Sequence, residues 1–320
     1  MSAFRYVVEI LDLLDNPSVS GEEVRKFFTG KGYDKLPIYV ETLKGVKGVT
    51  DFVSILVSGV NGKSVNGTSP TLGVIGRLGG IGARPIEVGI VSDADGAVVA
   101  LATVYMLAEM KRRGDVLPGD VKITTHICPN APTRPHKPAA MMESPVDIFT
   151  LLKKEVSPEM DAVLSIDATK ANYVVKHNGF AITPTVKQGW ILKVSQDLMN
   201  IYMCVAGHMP VIVPITMQDI IPFSTPAYHL NSMMQPWLFT DAPVVGVAIT
   251  SEMIVPGSAT GANNILALEQ ATRFVVEVAK GFGKGDVKFY DEDEFQTIVK
   301  THGHVRDILA KTIEPRECGK

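Results

Sequence analysis

Residues 91–127 read VSDADGAVVALATVYMLAEMKRRGDVLPGDVKITTHI, and this stretch decides the fold. From Ala94 to Arg113 the apolar positions run unbroken at helical spacing until Gly114 stops them. LPGD then turns the chain into VKITTHI, a run of strand length with a buried pattern. A buried helix that leads into a buried strand is the unit from which parallel sheets are made, because parallel strands need a crossover between them.

Working outward, Tyr6, Val7, Ile10, Leu11 and Leu14 recur at helical spacing, with Pro17 and Gly21 ending that helix. A second helix is expected over Glu22–Gly30, then strands at Ile38–Leu43 and Asp51–Ser58 and a turn-rich VNGKSVNGTS. TLGVIGRLGGIGARPIEVGIVSD reads as two strands around a glycine-rich turn. Beyond VKITTHI, prolines at 129, 132, 135, 138 and 145 leave no room for a regular element. The second half alternates again: helix Val146–Val156, strand Ala162–Ile166, a β-rich stretch Phe180–Val194 and helix Gln196–Ala206. There follow strand Val211–Ile215, helix Leu230–Phe239, strand Val244–Ile249 and a long helix Asn263–Gly281. This alternation predicts an α/β fold, a three-layer open, mostly parallel mixed sheet with helices on both faces. One domain is expected over residues 1–285, with a charged helical tail over 286–320 centred on Glu292–Lys311.

Composition narrows the function. The 31 basic and 34 acidic residues of the 320 are spread along the chain, with no basic stripe for a phosphate backbone, so nucleic acid is not expected as a partner. Three scattered cysteines make no disulfide framework, and a reducing compartment is expected. Acidic residues Glu9, Asp12 and Asp15 break up the first apolar stretch, which argues against an export signal and for a cytoplasmic protein. The longest uncharged apolar run, Gly96–Ala108, is short of the roughly 20 residues a membrane span needs. Two motifs are set aside. GVNGKS lacks the glycine of a phosphate loop, Val57 standing in its place, and GRLGGIGARP is closed by Pro85 with no helix after it, so no nucleotide cofactor is expected.

In open α/β sheets ligands bind at the carboxyl ends of the strands. Four polar clusters fall there. Asp93 and Asp95 precede the long helix, where capping explains one carboxylate and oxygen ligation of a divalent cation would use both. His126 ends VKITTHI, and the rigid proline loop after it carries Arg134, His136 and Lys137. Asp167, followed by Thr169 and Lys170, ends DAVLSI and needs a partner, a cap or a metal. Gln218 and Asp219 follow PVIVPIT, with His229 at the next helix, where a capped helix and a polar loop are the plainer explanation.

The order of elements resembles the catalytic domain of the di-zinc aminopeptidases, in particular the glutamyl aminopeptidase type. NPSVSGEEVRKFF resembles that family's start, VSDADG with its helix resembles the bridging aspartate, and AVLSIDATKAN resembles the strand that brings a further carboxylate. The resemblance implies zinc or manganese. Here no histidine precedes His126, and His126, Ile127 and Cys128 stand where that family has paired glutamates, so a remodelled metal site is implied. The whole chain also resembles a bacterial and archaeal family of unknown function, through HICPNAPTRPHKP, LSIDATKAN, PITMQDI and HLNSMMQP.

Two readings follow. In the first the protein is a metal-dependent hydrolase of a small amide or peptide-like substrate. Asp93, Asp95, His126 and Asp167 hold the metal, His126, His136 or His229 moves protons, and Arg134, Lys137 and Lys170 bind substrate. In the second it is a non-catalytic binding or assembly protein, a homo-oligomer whose HLNSMMQPWLF and IIPFSTPAY form a subunit contact, although a buried core helix explains the Met-rich stretch equally well.

Overall fold

Runs such as LGVIG and AVLSI are apolar on both sides of the pleat, so as strands they must be covered on both faces. The computed structural model, which describes residues 2–77, 80–217 and 230–305, covers them in that way. The helices are α1 (Phe4–Asp15), α2 (Gly21–Gly30), α3 (Asp95–Arg112), α4 (Ile148–Glu155), α5 (Gln196–Ala206), α6 (Ile265–Lys284) and α7 (Glu292–His302). The strands are β1 (Ile38–Gly45), β2 (Gly48–Val57), β3 (Leu72–Gly76), β4 (Val121–Ile127), β5 (Thr133–Arg134), β6 (Met141–Met142) and β7 (Ala162–Ala168). They continue with β8 (Gly179–Ile182), β9 (Val186–Lys187), β10 (Trp190–Ile191) and β11 (Val244–Thr250).

The nine-stranded sheet runs β1-β2-β4-β3-β7-β11-β9-β10, with β8 also paired to β11. Its centre, β4-β3-β7-β11, is parallel, and the pairings outside that centre are antiparallel. The α/β class with a mixed, mainly parallel central sheet between helical layers is therefore the observed fold. Val74, Ile123, Leu164, Ile166 and Val247 belong to one core with α1, α3, α5 and α6. Ile75, Val163, Val244 and Ala248 alternate to the other face, where a 3₁₀ helix, Ser232–Phe239, supplies Met233, Met234 and Trp237. The Met-rich stretch is thus core, and Pro236 within it accounts for the tighter 3₁₀ winding in place of the α-helix expected over Leu230–Phe239.

Two predicted strands do not form. EVGIV is a loop with only a bridge between Ala83 and Glu87, and Val211–Ile215 makes one isolated bridge, Ile182 to Ile212. Val213 is nonetheless fully buried: its apolar run signals burial without a ladder. The proline-rich segment holds only the two-residue pair β5-β6. After α6, Val287 and Phe289 pack into the main core before α7 begins. No helix among the described residues is long and apolar enough to cross a membrane.

Candidate functional site

A cleft of about 640 Å³ opens at the carboxyl end of β7, beside the turn that precedes α3. Its floor is Asp167 to Tyr173, and Ser92, Asp93, Asn231 and Ser232 line it as well. One wall is the proline-rich loop (His136, Lys137, Met141) and the other the segment Ile254–Ser258.

The floor is fixed by a close crossing. A Cβ on Gly96 would lie 2.5 Å from the carbonyl oxygen of Ile166 and 2.8 Å from the amide of Arg77, and one on Gly76 would lie 2.5 Å from the carbonyl oxygen of Gly96. Only glycine at both positions lets the start of α3 rest directly on the ends of β3 and β7. Asp93 sits on the turn just before α3, close enough that a Cβ on Gly80 would be 2.9 Å from its Oδ2. One wall is tied to this turn, the Ser92 amide donating to the Thr260 carbonyl at 2.5 Å, and the two walls to each other, the Met142 amide donating to Ser258 Oγ at 2.6 Å.

Asp167 is buried at the end of β7, where Ser232 Oγ donates to its Oδ2 at 2.9 Å and the Ala168 amide to its Oδ1 at 2.8 Å. Lys170 also lines the cleft, but its ammonium is engaged, 2.6 Å from Asp95 Oδ2 and donating to the Ala262 carbonyl at 2.7 Å. Asp95 is fully buried, does not line the cleft, and accepts from Asn263 Nδ2 at 2.7 Å. Burial pushes its carboxyl above the usual aspartate range, against the pull of Lys170 and Asn263.

His126 is equally hidden. Its Nε2 lies 3.2 Å from Glu155 Oε1, and Glu155 Oε2 accepts from Arg77 Nη1 at 2.5 Å, with all three side chains at most 1% exposed. Burial alone would push the Glu155 carboxyl up, but the charge of Arg77 and the contact with His126 outweigh it and hold the group below its ordinary range.

The structure therefore brings Asp93, Asp167, His136, Lys137 and Lys170 to one cleft and leaves Asp95 and His126 out of it. The predicted ligand set does not fit a metal as a unit: Asp95 is taken up by Lys170 and Asn263, and His126 Nε2 faces Glu155. Among the described residues no three His, Cys, Asp or Glu side chains gather as a metal-holding group. Arg134 is half-buried on β5 and is not among the lining residues; His136, exposed, holds its Nδ1 3.0 Å from the Ala139 carbonyl. Gln218, Asp219, His229 and the IIPFSTPAY loop lie outside the described residues.

Sequence reasoning missed Arg77 and Glu155. Arg77 carries the signal that flagged Asp167, a charge directly after a buried strand, but it was absorbed into a glycine-rich turn. Glu155, in LLKKEV, has the look of a solvated helix face.

This architecture is the zinc-aminopeptidase-like α/β fold. The crystal structure of an Acidobacteriales bacterium glutaminyl cyclase superposes with a TM-score of 0.50 at 10% identity, covering 89% of this chain and 94% of that one, a likeness of fold. The chain belongs to the family described as "Protein of unknown function (DUF1177)", whose profile matches residues 41–312. No curated protein matches it significantly.

Proposed function

We propose that the cleft binds a small amide or peptide-like substrate and hydrolyses it. The observation that carries this reading is the meeting of two carboxyl side chains, Asp93 and Asp167, with the exposed basic side chains His136 and Lys137, in one cleft at the strand ends. Asp167, oriented by Ser232 and its neighbouring amide, acts as general base toward water, and Asp93 lines the same cleft from the turn before α3. Lys137 and His136 at the rim attract an anionic end of the substrate. The glutaminyl cyclase likeness adds analogy of scaffold only. Because the proposed ligand set is dispersed, no step is assigned to a metal.

A binding role without chemistry is the second reading. It is favoured by the engagement of Asp95 with Lys170 and of His126 with Glu155, which removes groups a hydrolase would use. A panel of N-acyl amino acids and dipeptides, assayed with and without added zinc or manganese, separates the two. Turnover that falls about a hundredfold or more in Asp167→Asn, with circular dichroism unchanged, supports the hydrolase. Saturable binding without turnover supports the binding role.

A further inference from the structure

The register of the sheet places a polar row under the cleft. Gly76 pairs with Thr125 on one side and Ile166 on the other, so Arg77 falls level with His126 and Asp167 on the face covered by α4 and the 3₁₀ helix. Ser165 lies two residues before Asp167 on that same face, and Asn231 and Gln235 belong to the 3₁₀ helix and its cap. All are nine-tenths or more buried.

Elsewhere a buried charge is saturated by the chain: Asp120 accepts from the Gly59 amide at 2.9 Å, the Ser64 amide at 2.7 Å and Ser64 Oγ at 2.9 Å. Under the cleft the opposite holds. Arg77 Nε and Nη2, His126 Nδ1, Ser165 Oγ, Asn231 Nδ2 and both polar atoms of Gln235 have no partner among the described residues. Arg77 gives only Nη1 to Glu155, which leaves its Nε–Nη2 edge, the edge whose two parallel N–H groups match a carboxylate. The unpartnered set is rich in donors: Arg77 Nε and Nη2, Asn231 Nδ2 and Gln235 Nε2 can only donate, against the single obligate acceptor Gln235 Oε1. Water brings donors and acceptors alike, whereas a carboxylate brings acceptors alone. Asn231, with Ser232 and Asp167 beside it, lines the cleft as well, so the row and the cleft share a border.

We propose that this row is a carboxylate-binding site, in which the Nε–Nη2 edge of Arg77, with the amides of Gln235 and Asn231 and the hydroxyl of Ser165, receives the carboxylate of the molecule the cleft admits. The proposal rests on the reading of the cleft as a substrate site and adds the substrate class: a small amide bearing a free carboxylate.

The test compares N-acetylglycine with its uncharged amide, N-acetylglycinamide, by titration calorimetry at constant ionic strength, with turnover measured separately. The expected result is binding of N-acetylglycine at least about tenfold tighter than the amide, as a charge-assisted bidentate contact implies. That preference disappears in Arg77→Met and in Gln235→Met, each with Lys137 intact. Gln235→Met guards against loss of folding, since it keeps the Arg77–Glu155 pair. Equal binding of the two probes, binding of neither, or a preference abolished by Lys137→Ala and untouched by Gln235→Met overturns the site. Equal binding accompanied by turnover leaves the hydrolase reading standing without it, and carboxylate-selective binding without turnover supports the site while overturning the hydrolase.

Discussion

The two faces of the central sheet are furnished in contrasting ways. On one, every residue of α3 from Asp95 to Met110 is buried, and the helix rests on β3, β4 and β7 through the Gly76–Gly96 crossing with α1 and α6 around it. On the other, the cover is the eight residues of α4 and the eight-residue 3₁₀ helix, and the strand ends present Arg77, His126, Ser165 and Asp167. The first face has the tight apolar packing that supplies stability. The second retains buried charge and unpartnered donors, which a face selected for stability alone would replace with apolar groups. Chemistry and stability are divided between the two sides of one sheet.

The contrast breaks most readily at Glu155. Glu155→Ala leaves the Arg77 guanidinium buried without its carboxylate and is expected to cost about 3–5 kcal/mol, read as a lower urea midpoint at unchanged slope. A cost below about 1 kcal/mol means that water reaches the row and screens the unpaired guanidinium. The pH dependence has a definite sign. Because the folded state holds the Glu155 carboxyl below its ordinary value of 4.5, the pair contributes stability above that pH and loses it as pH falls through the folded value. In Glu155→Gln this acid-side component is absent.

Gly96→Val tests the apolar face. Its side chain would collide with the carbonyl of Ile166 and the backbone of Arg77, at an expected cost of about 3 kcal/mol by the same measurement, with turnover lost in step as the α3 turn lifts Asp93. A well-folded Gly96→Val shows that the crossing is looser than its geometry. The smallest effect is expected far from the cleft. Tyr33 donates to Glu109 at 2.6 Å and, with Arg113 and Arg112, holds that carboxyl down at about 2. Tyr33→Phe should cost about 1–2 kcal/mol at neutral pH, and the difference from the parent should close as pH falls from about 4.5 toward 2.

Most of the fold was legible because its central elements are long and strictly patterned: α3, β4, β7, α5 and β11 appear where the apolar spacing puts them. EVGIV and Val211–Ile215 were misread because an apolar run records burial, and burial does not require strand pairing. In the site, Asp93, Asp167 and Lys170 could be found since each follows or adjoins a buried element. What Lys170 does could not, because its partner Asp95 is 75 positions away along the chain and meets it only across the α3 crossing. Glu155 was invisible for the same reason: Arg77 and His126 reach it on α4 from the ends of β3 and β4.

The burial of α3 also sets a hierarchy of motion. Amides along a helix enclosed on every side exchange with solvent only when the whole domain opens, so α3 should report the global unfolding free energy. The loops of residues 129–145 and 251–262, which form the opposite walls of the cleft, are largely without regular structure and are held by isolated contacts such as Ser258 to Met142. Their amides should exchange through local openings many orders of magnitude more often. A ligand therefore meets an immobile floor, with Asp167 on β7 and Asp93 at the start of α3, between two walls able to part and re-form around it, so entry to the cleft need not disturb the core on which it stands.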